Sequence, residues 1–259
     1  MALLDDIHEK KQALDNLRPL PAKAVHALAD WFELELTAAC LLVEGGDLTR
    51  EEIQTVLRRG VVLRNRPPRV QQLVLNHRRS LELLARLSFQ PNGVVTERTI
   101  TAFHAMLHQG FGRTAGRYRE GPLKEGGGGA SPDPAKLRVS MSALSGWLRR
   151  TEPGPETAFE AHHRLMTVRP FDEGNASVAL LLCNLILNRA GHPPVVVRAD
   201  DVEAYRAATE RAWSVGDKQP YRELMLRLLD QSLDVCLVGA AEAAAEPDAK
   251  PDAGSGAPG

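Results

Sequence analysis

The sequence feature that most constrains the fold is the segment 176–190, ASVALLLCNLILNRA, which is apolar on nearly every side of a helix. A helix that is apolar all round offers no face to water and is normally buried. Gly191 ends the segment, and Pro193 and Pro194 prevent the helix from continuing. The sequence therefore predicts a bundle with this helix in its centre.

Most of the remaining chain also has apolar residues at helical spacing. Thr49 and Glu52 have the spacing of a capping box, and Thr96 begins another segment that has the pattern of a cap. The run of three valines at 195–197 is too short for more than one turn of strand. We therefore predict an all-α protein, with further helices at 24–40, 49–57, 70–87, 96–107, 135–150, 155–168, 200–213 and 220–237.

Two stretches interrupt the helical pattern. GPLKEGGGGASPDP, at 121–134, contains four consecutive glycines and is expected to form a short flexible flap loop between helices. The chain from 239 to 259 is rich in Ala, Pro, Gly and Glu, has no apolar face and is expected to be disordered. We expect an N-terminal helical segment over 1–60, a core over 61–238 and a disordered tail over 239–259.

Composition limits the partners and the compartment. The chain has 32 basic and 33 acidic residues, so no global field favours nucleic acid or anionic lipid. No apolar run reaches the length of a membrane span, and the N-terminus lacks a signal-like core. Cys40, Cys183 and Cys236 stand in apolar helical contexts typical of reduced core thiols. We expect a soluble cytoplasmic protein without membrane contact.

Basic residues concentrate in only one region, between 58 and 79. No aromatic residues alternate with them, so we interpret the region as a solvated or acid-paired surface rather than a nucleic-acid contact. A protein-interaction surface is a further alternative. The seven arginines are Arg58, Arg59, Arg64, Arg66, Arg69, Arg78 and Arg79.

The segment RPFDEGNASVAL, at 169–180, combines a short acidic turn with the start of the buried helix. Helix N-termini bind anions through free backbone amides, yet no basic residue follows the Gly-Asn pair. No sequence pattern of a serine-hydrolase elbow, a Walker loop or a dinucleotide-binding fold occurs. Any chemistry of this chain is therefore expected at this loop.

The run 158–197 resembles the core of the Fic (Fido) domain. The motif of that family is His-Pro-Phe-x-Asp/Glu-Gly-Asn-Gly-Arg-x-x-Arg, followed by an apolar helix and Gly-x-Pro-Pro, and it aligns without a gap. The resemblance extends to 70–110, to AGRYR at 115–119 and to VEGGDLT at 43–49, which is similar to the inhibitory-helix segment of the family. It covers most of 33–230 and implies a Fic-type helical bundle.

In active members of the family, the resemblance implies transfer of AMP from ATP to a hydroxyl group of a target protein. The histidine accepts the hydroxyl proton, the acidic residue holds Mg²⁺, the Gly-Asn-Gly backbone forms an anion nest, and the two arginines hold the outer phosphates. Phosphoryl transfer depends on a positioned nucleophile and on cations where negative charge develops.

Five positions of this chain match the family motif. Pro170 and Phe171 are expected to be scaffold, with Phe171 anchoring the loop in the core. Glu173 stands at the acidic position and has the oxygen ligands that Mg²⁺ prefers. Gly174 and Asn175 retain part of the anion nest. The resemblance thus assigns Glu173 and Asn175 to the catalytic loop, with Glu173 as the candidate metal ligand.

Four positions depart from the motif. Arg169 stands at the base position, and a guanidinium cannot accept a proton at any working pH. Ala176 replaces the second glycine, while Ser177 and Leu180 replace the two arginines. The sequence does not identify a cofactor. Mg²⁺ with a nucleotide would have to bind through Glu173 and the nest at 174–177, without the two arginines of the family motif.

Glu44 is the candidate regulatory residue. CLLVEG, at 40–45, resembles the inhibitory motif of the family, in which the glutamate pairs with the second arginine of the loop. That position is Leu180 here, and a buried carboxylate without a partner has a raised pKa. We therefore predict that Glu44 has found another donor, with Arg169 as the candidate on charge.

Several residues have more than one interpretation. Arg169 is a structural ion-pair residue, a binder of an anionic ligand or a catalytic electrostatic group. His162 and His163 are expected to be one core and one exposed residue, with a substitute base as the alternative. His104 and His108 have the spacing of a zinc-binding helix but lack its glutamate, so a structural role is expected.

The sequence therefore supports two hypotheses. The first is a divergent Fic protein without standard AMP transfer, a pseudoenzyme that binds an unidentified protein or anionic small molecule through the old active-site cleft. The second is an enzyme of altered chemistry, in which Arg169 and the nest hold a phosphorylated, nucleotide-linked or other anionic substrate. Asp172, Glu173 or a nearby histidine would then supply the proton chemistry.

Overall fold

The computed structural model describes residues 2–60, 63–90, 93–123 and 133–245. Within these ranges all regular secondary structure is helical and no strand is present, so the all-α prediction is confirmed. Short 3-10 helices span Pro134–Lys136 and Ala199–Asp201. The α-helices are α1 Ala2–Asn16, α2 Ala22–Val43, α3 Arg50–Arg59, α4 Pro68–Ser88, α5 Glu97–Leu107, α6 Leu137–Leu148, α7 Pro155–Val168, α8 Asn175–Arg189, α9 Val202–Ser214 and α10 Gln219–Ala245.

Helix α8 forms the centre of the bundle. All its residues from Asn175 to Leu187 are buried, as expected for a helix that is apolar on every side. Helix α7 packs along it, and α2, α4 and α5 cover its other sides. The prediction of a central helix is therefore confirmed, and the loop before α8 is held close to the core.

Local sequence signals set the starts of two helices. The Thr49 hydroxyl accepts a hydrogen bond from Glu52 N at 3.2 Å, and the Glu52 carboxylate accepts one from Thr49 N at 2.9 Å. At the start of α5, Thr96 N donates to Thr99 Oγ1 at 3.3 Å, and the two hydroxyl oxygens lie 3.5 Å apart. Side chains of this kind satisfy amides that have no partner inside the helix. Both predicted caps are confirmed.

The valines at 195–197 are buried but belong to no strand. Asn184 of α8 fixes this segment, because its Nδ2 donates to Val195 O at 3.1 Å and its Oδ1 accepts from Val195 N at 2.9 Å. A single buried amide thus satisfies both backbone groups of Val195 and holds the extended chain against the central helix.

The two ends of the described chain differ from the sequence expectations. Helix α1, for which no separate helix was predicted, packs along α10 through the buried Ile7 and Leu14. Lys10 pairs with Asp230 at 2.7 Å and with Asp234 at 2.8 Å.

The prediction of disorder from 239 is wrong for 239–245, where α10 continues. Alanine favours helix, and Ala240 is only 4% exposed.

The cysteines, the length and polarity of the helices, and the two irregular stretches complete the comparison with the sequence predictions. The three cysteines are free and buried, as predicted. Among the described helices, none has both the length and the apolar character needed to cross a membrane. Residues 124–132 of the predicted flap loop and residues 246–259 of the predicted tail lie outside the described ranges.

We expect Asn184→Ala to lower the free energy of unfolding by roughly 2 kcal/mol, because it leaves a buried N–H and a buried C=O of Val195 without partners. Urea unfolding followed by circular dichroism measures this loss. Asn188→Ala is the matched control on the same helix, at a half-buried position. Equal effects of the two substitutions would contradict the role given to Asn184.

Candidate functional site

The loop between α7 and α8 has a fixed shape. Phe171 is completely buried and stacks on the His104 ring, with 3.9 Å between the centroids. Asn175 Oδ1 accepts from Phe171 N at 3.0 Å, and Asn175 Nδ2 donates to Phe171 O at 2.8 Å. Gly174 has φ 77°, and a Cβ there would overlap His108 Nε2. The prediction that Phe171 anchors the loop is confirmed.

The carboxylate of Glu44 occupies the anion nest at the start of α8. Glu44 follows the last residue of α2, and its Oε1 accepts from Ser177 N at 2.9 Å and from Ser177 Oγ at 3.0 Å. The backbone amides of Gly174 and Ala176 also favour the charged carboxylate. A helix N-terminus attracts negative charge because its first amides have no intrahelical partner. In this protein the Glu44 carboxylate supplies the negative charge.

The environment of Glu44 raises the pKa of its carboxyl group. Much of the residue faces solvent, but its carboxyl end is enclosed between α2 and α8. This burial raises the pKa of Glu44, and the hydrogen bonds from Ser177 and from the neighbouring amides offset the effect only in part. The predicted new donor of Glu44 is therefore Ser177, although its hydrogen bonds do not cancel the effect of burial on the pKa.

Arg169 is not the partner of Glu44, so that part of the prediction is wrong. Its guanidinium carbon lies 4.5 Å from the centroid of the Trp213 ring on α9. Trp213 attracts the cation through its π face, while backbone amides of α8 and the Ser177 hydroxyl already satisfy Glu44. In the part of the chain that the structure describes, the Arg169 side chain forms no hydrogen bond or ion pair, and its Nε is buried.

The backbone of Arg169 is held in an uncommon conformation. Its φ of 44° is the only positive value at a non-glycine residue within the described ranges. Arg169 N donates to Leu165 O at 2.8 Å, and its carbonyl accepts from Arg119 Nε at 2.9 Å. Arg119 N also donates to Pro170 O at 2.9 Å. Burial and the neighbouring Arg119 lower the pKa of Arg169.

Glu173, the candidate metal ligand, is engaged by an arginine. Arg69 Nη2 lies 2.8 Å from one carboxylate oxygen of Glu173 and 3.0 Å from the other. His108 Nδ1 lies 3.4 Å from the nearer oxygen. The described residues contain no group of three or more metal-ligating side chains that could hold an ion. Sequence reasoning did not place Arg69 here, because it lies far from the loop in the chain.

The His104 and His108 rings lie 4.4 Å apart, but His104 has structural contacts. Its Nδ1 accepts a hydrogen bond from Gly116 N at 2.9 Å, and one face of the ring covers Phe171. Burial lowers the pKa of His104 to about 3, so the ring is neutral at ordinary pH. These contacts favour the structural interpretation over a zinc site.

The expectation that one of His162 and His163 is exposed is wrong, since both are buried. Tyr205 of α9 and Tyr221 of α10 lie against the His162 ring, and Tyr221 also lies beside the His163 ring. His162 Nε2 lies 2.7 Å from the Tyr205 hydroxyl, and its Nδ1 lies 2.9 Å from the Tyr221 hydroxyl. Burial lowers the pKa of His162 to about 3. With both nitrogens engaged, His162 is a core residue and not a free base.

Of the seven arginines between 58 and 79, Arg66, Arg69 and Arg78 pair with acids, and Arg58, Arg59 and Arg64 are exposed, so the region is a partly acid-paired and partly solvated surface. Arg66 contacts Asp47 at 2.9 Å and Glu52 at 2.8 Å. Arg78 contacts Glu33 at 3.0 Å. These pairs reduce the positive field that a nucleic acid would require.

Two cavities adjoin the loop. The first, of about 210 Å³, lies between α2, α4 and α5 and is lined by Cys40, His108 and Ser177. The second is a cleft of about 420 Å³ on the side of Arg169, and Arg206 of α9 also lines it. Glu44, Glu173 and Gly174 border both cavities. The loop and the end of α2 therefore separate two spaces in which a ligand can bind.

Residues 94–187 match the model of the Fic/DOC family. The chain is 27% identical over 242 residues to the protein adenylyltransferase Fic of Nematostella vectensis, covering 91% of this chain and 56% of the relative. It is 31% identical over 120 residues to the protein adenylyltransferase Fic of Culex quinquefasciatus, covering 45% of this chain and 24% of the relative. The chain thus spans about half or less of the length of these relatives.

Solved structures have the same fold. A Fic-domain signaling protein from Bacteroides thetaiotaomicron matches with a TM-score of 0.83 and 22% identity, covering 92% of this chain and 98% of the other. Fic-1 from C. elegans matches with a TM-score of 0.80 and 22% identity, covering 92% and 71%. The chain is therefore a Fic-fold protein. Together with the sequence matches, this makes it a relative of the protein adenylyltransferases, which confirms the resemblance found in the sequence.

We expect Glu44→Gln to stabilise the protein relative to wild type as pH rises. A raised pKa means that folding disfavours the ionised carboxylate, so the cost begins near the ordinary value of 4.5 and is complete above the folded-state pKa. A glutamine oxygen still accepts from Ser177 without this cost.

Urea unfolding at pH 5 and at pH 8 measures the difference. Glu82→Gln, at an exposed position on α4, controls for the loss of one carboxylate elsewhere. A Glu44→Gln protein that becomes less stable than wild type between these pH values would show that α8 amides, and not burial, dominate the titration of Glu44.

Proposed function

We propose that this Fic-fold protein lacks standard AMP-transfer activity and acts as a binding protein that recruits an anionic ligand or a partner through the cleft beside its loop. The position of Glu44 carries this proposal. Its carboxylate lies 2.9 Å from Ser177 N, in the nest of amides that would otherwise receive a phosphate group. A nucleotide would have to displace this carboxylate.

The side chains around the nest support the same proposal. Arg169, at the base position, stays protonated and cannot accept a proton from a hydroxyl group. Ser177 is neutral, and Leu180 is buried in the core. Neither can supply the fixed positive charge that stabilises a phosphoryl-transfer transition state.

Mg²⁺ with a nucleotide is the cofactor that the family resemblance implies, and the residues present do not fit it. Glu173, the expected metal ligand, is held by Arg69 through both carboxylate oxygens. A metal ion would have to compete with this guanidinium while the Glu44 carboxylate keeps phosphate from the nest. No catalytic step through Mg²⁺ follows from this arrangement.

We expect no transfer of labelled AMP from ATP and Mg²⁺, either to the protein itself or to proteins of a cell extract. Glu44→Gly empties the nest but restores neither the base nor the arginines, so this variant is also expected to be inactive. Gel autoradiography measures labelling, with the Nematostella vectensis relative as the positive control. Robust labelling by the wild-type protein would refute the proposal.

A second candidate function is an enzyme of altered chemistry, and the His108–Glu173 contact favours it. His108 Nδ1 lies 3.4 Å from the Glu173 carboxylate, in the same cavity as the Ser177 hydroxyl. Burial lowers the pKa of His108, so its ring can accept a proton at neutral pH. A carboxylate that orients a neutral imidazole is a common arrangement for a general base.

Screening phosphate monoesters and nucleotides for turnover tests this second candidate. If it holds, His108→Gln is expected to abolish turnover, because a glutamine cannot carry the proton. His192→Gln is the matched control at a half-buried histidine on the far end of α8. Turnover that survives His108→Gln would rule out His108 as the base, and no turnover with any substrate would favour the first proposal.

A further inference from the structure

The cleft on the Arg169 side of the loop contains two arginines. It measures about 420 Å³, and Arg169 and Arg206 both line it. Val43, Leu123 and Met166 add apolar surface. The lining is mainly polar and charged, and the cleft is large enough to receive a small molecule.

Arg169 is a positioned cation without an acidic partner among the described residues. Its backbone is fixed by the bonds to Leu165 and Arg119, and its guanidinium rests on Trp213. Nε is buried without a hydrogen bond, and the remaining guanidinium nitrogens donate to no described residue. A cation held in this way has donors available for an anion.

Two of the three acidic side chains that line the cleft, Glu44 and Glu173, are engaged elsewhere. Ser177 and the α8 amides hold the Glu44 carboxylate, whose pKa is also raised by burial. Arg69 holds Glu173. Asp172 also lines the cleft but forms no ion pair with Arg169, so the guanidinium is not paired with any acid among the described residues.

Arg206 provides the second guanidinium. Its Nη2 donates to Leu42 O at 2.8 Å, which ties the side chain to the end of α2. Its Nη1 lies 2.8 Å from Glu203, a residue whose side chain is 85% exposed. An exposed ion pair of this kind contributes little and is easily exchanged for another anion. Arg206 is thus positioned by a backbone carbonyl and keeps the capacity to bind an anion.

We propose that this cleft binds a small molecule carrying a phosphate monoester, with the phosphate held by Arg169 and Arg206. A doubly charged group with three acceptor oxygens matches two guanidinium groups better than a single carboxylate does. Val43, Leu123 and Met166 form the apolar part of the lining and receive the organic part of the ligand. This inference rests on the proposed binding function and gives it a ligand class, with the phosphate at the two arginines beside the nest that Glu44 fills.

Phenyl phosphate is the probe, titrated into the full chain and followed by calorimetry and by tryptophan fluorescence. Trp213 reports on the site, because an anion that draws the Arg169 guanidinium away changes the environment of its ring. We expect saturable binding at submillimolar concentration, no binding of phenol, and loss of the fluorescence change in Trp213→Phe.

Arg169→Gly is expected to weaken binding by about tenfold or more, because a charge-assisted bidentate contact is lost. Glycine tolerates the φ of 44°, so this substitution removes the guanidinium without straining the loop. Arg206→Ala is expected to weaken binding less. Arg198→Ala is the matched control, since Arg198 lies over Trp31 at 5.3 Å, outside the cleft, and binding should be unchanged.

The proposal is overturned if the wild-type protein does not bind phenyl phosphate at millimolar concentration, if Arg169→Gly binds it equally well, or if phenol binds as tightly. Circular dichroism of each variant establishes that it is folded before titration. A protein that neither transfers AMP nor binds phenyl phosphate overturns this inference alone, whereas AMP transfer overturns the proposed function.

Discussion

The contact between the Glu44 carboxylate and the start of α8 is the interaction on which the arrangement of the site depends. Because α8 is buried from its first turn, its free amides cannot rely on water and need an acceptor from the protein. Glu44 supplies that acceptor and joins the end of α2 to the loop. The same contact divides the space around the loop into two cavities and leaves Arg169 free to lie on Trp213.

The sequence predicted those parts of the fold that depend on local signals. The all-apolar segment at 176–190 and the caps at Thr49 and Thr96 each act within a few residues, so their patterns could be interpreted directly. Helix α1 and the last turns of α10 were missed because their composition is charged or alanine-rich. Packing against each other and against α2, over long distances in the chain, stabilises them.

The candidate site was predictable only in its loop. The family motif located positions 169–177 and indicated that Glu44 needs a donor. Charge alone pointed to Arg169 as that donor, because sequence patterns do not reveal which backbone amides remain unpaired. Arg69 and Trp213 were missed for a related reason: only the packing of α4 and α9 beside the loop brings them to it.

The hydrogen bonds of Arg119 have a mechanical consequence. Arg119 is only 3% exposed. Its Nε donates to the carbonyl of Arg169, and its backbone N donates to the next carbonyl of the loop, that of Pro170. Its Nη1 donates to Gly121 O at 2.7 Å, in the chain that leaves α5. One buried cation thus clamps two segments together, so a force that displaces the chain near 121 is transmitted to the residue at the base position.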